Sequence, residues 1–121
     1  MNLLRIEEDL NAAHLRLART LVEQLDWAEC INRYDREGTL FYHLDPPYWG
    51  AAGYDDDFPI KEYYRMGELA RTGQGQFVIS VNDTPEMRDT FQGLTHHTTQ
   101  IRYTVGQQAT EPRGELIITN R

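Results

Sequence analysis

Thr39-Leu40-Phe41-Tyr42-His43-Leu44-Asp45-Pro46-Pro47-Tyr48-Trp49-Gly50 decides the fold expected of this chain. Its first six residues form an apolar, β-prone run without clean alternation, the pattern of a strand buried in a parallel sheet. Asp45-Pro46-Pro47 stops the strand, because two consecutive residues without an amide hydrogen cannot continue a ladder. A second such strand, Phe77-Val78-Ile79-Ser80-Val81, follows one helix later and ends in Asn82-Asp83. Ligands bind beyond the carboxyl ends of the strands in an open parallel sheet. Both polar strand ends therefore fall where a site is expected.

Between these strands, residues 58–71 read as a helix with Asp57 as cap, Pro59 in the first turn, and Tyr63, Met66, Leu69 and Ala70 on the inner face. Gly73-Gln74-Gly75 precedes a strand instead of following one, so it reads as a helix stop and turn, not as a ligand cradle. After the second strand, Thr84 is placed to cap a helix that has Pro85 at its first position and runs to about Gln92. Strands near residues 98–105 and 115–119 finish the chain.

Toward the amino terminus, Ile6, Leu10, Ala13, Leu17 and Leu21 recur at helical spacing over residues 6–24, with room for a short strand near 19–23. Asp26 can cap a second helix through Tyr34, closed by Gly38. The expected fold class is α/β: parallel strands with helices, closed by a carboxy-terminal antiparallel hairpin. One domain is expected over residues 1–121, made of a helical lead-in (1–38) and a motif-bearing α/β portion (39–121).

The chain has 121 residues, 40% hydrophobic and 26% charged, within the range of folded domains. A single cysteine, Cys30, excludes an internal disulfide and cannot by itself build a structural zinc site. No apolar run approaches the roughly 18 residues of a membrane span, and the acidic, broken start does not suit a signal peptide, so the cytoplasm is the expected compartment. The formal charge of −7 argues against a surface that clings to phosphate throughout; any contact with DNA is expected to be local. Asp55-Asp56-Asp57 reads as a solvated loop or cap, and His96-His97 lacks a further ligand at metal-binding spacing. No metal is expected. Asp-Pro-Pro alone suits a simple strand-ending turn, and Tyr103 suits a core strand position as well as a pocket border.

Asp45-Pro46-Pro47-Tyr48 resembles the signature of amino-methylating DNA methyltransferases, and residues 39–50 are similar to the Dam-like, adenine-N6-specific branch found in bacteria and phages. The likeness continues through the helix at 63–69, through Phe77 to Asp83 with Thr84-Pro85-Glu86-Met87-Arg88, through Ile101-Arg102-Tyr103-Thr104-Val105 and through Glu115-Leu116-Ile117-Ile118-Thr119-Asn120. It also extends before the motif, in His14-Leu15-Arg16-Leu17 and Leu25-Asp26-Trp27-Ala28-Glu29.

What the resemblance implies is part of an S-adenosyl-methionine-dependent, Rossmann-like sheet that methylates the amine of an adenine in double-stranded DNA. That amine is a weak nucleophile and is unreachable in a duplex, so the base must be flipped out. The Asp45 carboxylate and the Pro46 carbonyl would each accept one amine hydrogen, Pro46 and Pro47 would fix the backbone, and Tyr48 would stack on the base. Asp45 would also help to hold the methyl donor. Ser80, Asn82 and Asp83 match the family's second motif and would support the pocket wall, although these residue types equally suit loop and cap positions.

The family's cofactor site uses a Gly-rich loop and an acidic residue early in its chain, and neither pattern occurs in this sequence. The likeness is therefore to a carboxy-terminal portion alone. The family's first strand lies beside the motif-bearing strand, so residues 39–44 are expected to present an apolar edge. That edge implies a separate amino-terminal methyltransferase fragment as partner, or self-association through the edge. His43 is an insertion relative to the family's strand; either a bulge displaces Leu40 to Tyr42 or the pocket is distorted. Three functions are compatible with these features: the catalytic carboxy-terminal part of an adenine-N6 methyltransferase, an inactive remnant of one, or a non-enzymatic module that binds through Tyr48 and Trp49.

Overall fold

The computed structural model describes residues 2–36, 41–51, 58–101 and 113–121, so Asp55, Asp56, Asp57 and Tyr103 lie outside the described residues. The chain divides into two compact units, Met1–Cys30 and Ile31–Arg121.

In the first unit, α1 (Leu3–Leu17) starts at Asn2, whose side chain accepts from the Arg5 amide, and ends with His14 and Arg16 near its negative pole. None of its side chains is buried. No strand forms over residues 19–23, against expectation. Among the described residues, the first unit holds no strand that could supply the ladder a β-segment requires. Asp26 accepts from the Glu29 amide at 3.2 Å, as its capping role predicts, and begins α2 (Trp27–Tyr34), which runs across the boundary into the second unit.

The second unit is built on a four-stranded sheet of order β1-β2-β4-β3, with β1 Phe41–Leu44, β2 Gln76–Asn82, β3 Thr95–Ile101 and β4 Arg113–Thr119. Only β1 and β2 are parallel; β4 runs antiparallel to both β2 and β3. The expected parallel pair and carboxy-terminal antiparallel hairpin are both present, and together they make a mixed sheet. The closing hairpin does form, but its second strand inserts beside β2, where Leu116 and Ile118 register with Val81 and Ile79. All four of these side chains are 0% exposed. That insertion buries apolar side chains that a hairpin placed at the edge would leave partly in water.

Helix α3 (Ile60–Thr72) begins after Pro59 and buries Tyr63, Met66, Gly67 and Ala70; Leu69 is only half-buried. A side chain at Gly67 would press on the Thr90 carbonyl and the Arg71 side chain, so the glycine permits α3 and the end of α4 to approach. Arg71 reinforces that contact by donating to the Thr90 and Gln92 carbonyls. Gly73 ends α3 as expected, for want of space: a Cβ there would lie 2.5 Å from the Leu69 carbonyl oxygen. Helix α4 (Pro85–Thr90) has Thr84 as N-cap, accepting from the Met87 amide at 3.2 Å, and is two residues shorter than expected.

Strand alternation sorts the sheet into two faces. Phe77, Ile79, Val81, Leu116 and Ile118 share the apolar one, and each is at most 1% exposed. Tyr42 extends it, stacking on Phe77 at 4.9 Å. His43, Ser80, Asn82 and Glu115 lie on the other face. The β1 ladder is regular over Phe41–Leu44, pairing with Gln76 to Ile79 residue for residue. A bulge within these residues is thereby excluded, and His43 takes its place by facing Ser80. β1 has one partner strand among the described residues, and Phe41 at the edge is 64% exposed.

Candidate functional site

The loop after β1 crosses the carboxyl end of β2, and three side chains fix it there. Asn82, the last residue of β2, brackets Trp49. Its Oδ1 accepts from the Trp49 amide at 2.8 Å, and its Nδ2 donates to the Trp49 carbonyl at 2.8 Å. The orientation of the Asn82 amide follows from chemistry, since a backbone N–H only donates and a carbonyl only accepts. The Tyr63 hydroxyl donates to the Pro47 carbonyl from α3. Tyr63 also meets Trp49 and Phe58 edge-on, at 6.0 and 5.1 Å.

Tyr48 reaches across to β4, where its hydroxyl donates to Glu115 Oε1 at 2.7 Å. Glu115 is 8% exposed and opens the buried part of β4. Sequence reasoning missed both Glu115 and Tyr63 as supports of the loop. A carboxylate immediately before Leu116-Ile117-Ile118 was the available signal, because an acid that begins an apolar strand needs a partner.

The expected site residues divide. Tyr48 and Asn82, with Trp49, Gly50 and Ala51, line a cavity of about 140 Å³. Gly50 turns the chain here with φ of 75°, in the left-handed region where glycine carries no steric cost. Pro46 is buried and Pro47 half-buried. Asp45 is exposed at the strand end, does not line the cavity, and makes no hydrogen bond or ion pair among the described residues.

Ser80 and Asp83 do not touch the loop. Ser80 Oγ lies 3.0 Å from His43 Nε2, a contact between adjacent strands. Asp83 takes two bonds from the Arg88 guanidinium, at 2.6 and 2.8 Å, and its amide donates to the Gly114 carbonyl at 3.0 Å. The Arg88 hydrogen bonds hold the Asp83 carboxyl below its ordinary value, against the smaller opposing effect of burial. Both residues thus support β2 and its exit, one step removed from the cavity.

Chemically, the arrangement offers an aromatic ring held by a buried acid, a rigid backbone turn, and one uncommitted carboxylate at the strand end. Among the described residues, no three His, Cys, Asp or Glu side chains converge as a metal would require, and no helix is long and apolar enough to cross a membrane. No model of a known protein family matches the sequence, and no curated protein matches it.

Proposed function

We propose that this chain is the base-gripping, carboxy-terminal portion of a DNA adenine-N6 methyltransferase, as its likeness to the Dam-like enzymes implies. The observation that carries this reading is the division of labour in residues 45–49. The Pro47 carbonyl, both backbone groups of Trp49 and the Tyr48 hydroxyl are committed to Tyr63, Asn82 and Glu115. The Asp45 carboxylate is left open. A clamp for an amine needs that combination: a turn that does not move, and acceptors not yet satisfied.

In this proposal a flipped adenine rests against Tyr48, and its amine hydrogens go to the Asp45 carboxylate and the Pro46 carbonyl. With both hydrogens held, the nitrogen moves toward a tetrahedral shape and its lone pair is no longer delocalised into the ring, so the amine becomes a better nucleophile without prior loss of a proton; one proton leaves after the methyl is received. Asn82 acts by positioning Trp49 and hence the turn. Ser80 and Asp83 act at a further remove, by holding β2.

S-adenosyl-methionine, the methyl donor that the likeness implies, is too large for the cavity beside the loop. The cavity of about 140 Å³ falls below the roughly 300–1,000 Å³ of sites that enclose ligands of that size. Asp45 is the one uncommitted carboxylate at this strand end that could face its cation. In this proposal the donor is held chiefly by an amino-terminal fragment, with Asp45 beside its cation. The exposed edge of β1, with Phe41 at its start, favours completion of the sheet by a further strand, whether from an amino-terminal methyltransferase fragment or from a second copy.

The test is transfer of a labelled methyl group to adenine in duplex DNA, with and without an amino-terminal fragment that holds the donor. Transfer that requires the fragment and disappears with Asp45→Ala supports the proposal. DNA binding without transfer in any combination would make the chain a binding module, and neither binding nor transfer would make it an inactive remnant. Both results overturn the enzymatic reading.

A further inference from the structure

Helix α1 carries an apolar stripe that nothing in its own unit buries. Leu3, Ile6, Leu10, Ala13 and Leu17 follow a 3-4-3-4 spacing, the seam of a coiled coil. Leu3, Leu10 and Leu17 are 70, 65 and 59% exposed. A helix of 15 residues is marginal alone and takes most of its stability from packing such a stripe. A cover is therefore required, and the charges beside the stripe indicate which.

Glu7 and His14 flank one side of the seam, and Asp9 and Arg16 flank the other, all exposed. On each flank an acid precedes a base by one heptad. Flanking charges of this kind set partner choice and orientation. A second copy laid antiparallel, with Leu10 opposite Ala13 and Ile6 opposite Leu17, brings Asp9 against Arg16 and Glu7 against His14. Each pairing occurs twice by the two-fold axis. A parallel copy would leave Arg16 facing Leu21 and Glu7 facing Asn2, and only Asp9 would meet a basic residue.

We propose that α1 is a self-association surface that pairs antiparallel with α1 of a second copy of this chain. The pairing is short and fully solvated at its flanks, so it is weak and concentration-dependent. It is independent of the methyltransferase proposal and of the β1 edge.

The experiment is sedimentation equilibrium of the whole chain from about 10 μM to 1 mM, with circular dichroism confirming that each variant keeps its helix content. The wild type is expected to move from monomer to dimer across this range. Leu10→Asp is expected to remain monomeric. Asp9→Arg, which sets arginine against arginine at two places, is expected to weaken the dimer by about tenfold or more. The exchange Asp9→Arg with Arg16→Asp is expected to return it to within about threefold of the wild type.

A wild type that stays monomeric at the highest concentration overturns the proposal. So does a dimer indifferent to Leu10→Asp, which would place the contact elsewhere, at the β1 edge for instance. A dimer weakened by Asp9→Arg but not rescued by the exchange excludes the antiparallel arrangement.

Discussion

Replacing Asn82 by leucine should unfasten the loop that carries the candidate site. Leucine keeps the branch at Cγ and the number of side-chain heavy atoms of asparagine but forms neither bond to Trp49, each of which is 2.8 Å long. A net contribution of about 0.5–1.5 kcal/mol per hydrogen bond predicts a loss of about 1–3 kcal/mol. Asn82→Asp separates the two bonds. The ionised form keeps the bond from the Trp49 amide but turns an oxygen toward the Trp49 carbonyl, whereas the protonated form donates there and restores both.

The neutral form is then the one the fold stabilises, so the folded-state pKa of the new carboxyl is raised. Its penalty is absent at acid pH and grows as pH rises above the unfolded value of about 3.9. Urea unfolding from pH 3 to 7, read against the wild type at each pH, gives the energies. Amide exchange at Trp49 gives the local effect. An Asn82→Leu variant within about 0.5 kcal/mol of the wild type, with Trp49 exchange unchanged, would refute the bracket.

Tyr48→Phe removes the donor to the Glu115 carboxylate, a charge-assisted bond worth about 1.5–3 kcal/mol; urea unfolding should show that loss, and adding Glu115→Gln should recover part of it because a neutral amide tolerates its buried position better. Asn120→Ala removes bonds to the Phe77 amide and to the Ala70 and Gly75 carbonyls, which tie the end of β4 to the turn between α3 and β2. Thermal unfolding should show a cost of about 1.5–4 kcal/mol. Asp83→Asn should destabilise the chain at pH 7 and converge with the wild type at low pH. The Asp83 carboxyl is held below its ordinary value by Arg88, so its contribution is present above the unfolded pKa and is lost as pH falls through the lower folded one.

Local chemistry was legible in the sequence where a single residue type decides the backbone. Asp26 and Thr84-Pro85 start helices where their capping geometry requires, Gly73 ends one, and Asp45-Pro46-Pro47 stops β1. The apolar run of β2 marked a buried strand, and Phe77, Ile79 and Val81 are in the core. Non-local pairing was not legible. Tyr48 and Glu115 are separated by 67 residues, and no periodicity connects them. The insertion of β4 beside β2 depends on which placement buries Leu116 and Ile118, a property of the assembled sheet.

His43 illustrates the limit from the other side. One extra residue should reverse a strand's facing unless a bulge absorbs it. The ladder instead continues unbroken, with Tyr42 against Phe77 and His43 against Val78, and the histidine side chain finds a polar neighbour in Ser80 on the second face. Helix α1 shows the same limit: its amphipathic period was plain, but the sequence of one chain does not say what covers the stripe.

The most direct test of the central claim, that residues 45–49 grip an adenine through its amine, is an NMR titration of the chain with a short single-stranded oligothymidine carrying one adenine. A single strand already presents the base unstacked, and moderate salt screens the repulsion between the strand and the chain's net negative charge. The account predicts chemical-shift changes centred on Tyr48, Trp49, Gly50 and Asn82, with loss of binding when the adenine is N6,N6-dimethylated and has no hydrogen to donate, or when Asp45 is alanine. Equal shifts with the dimethylated base, or changes confined to residues outside this loop, would contradict it.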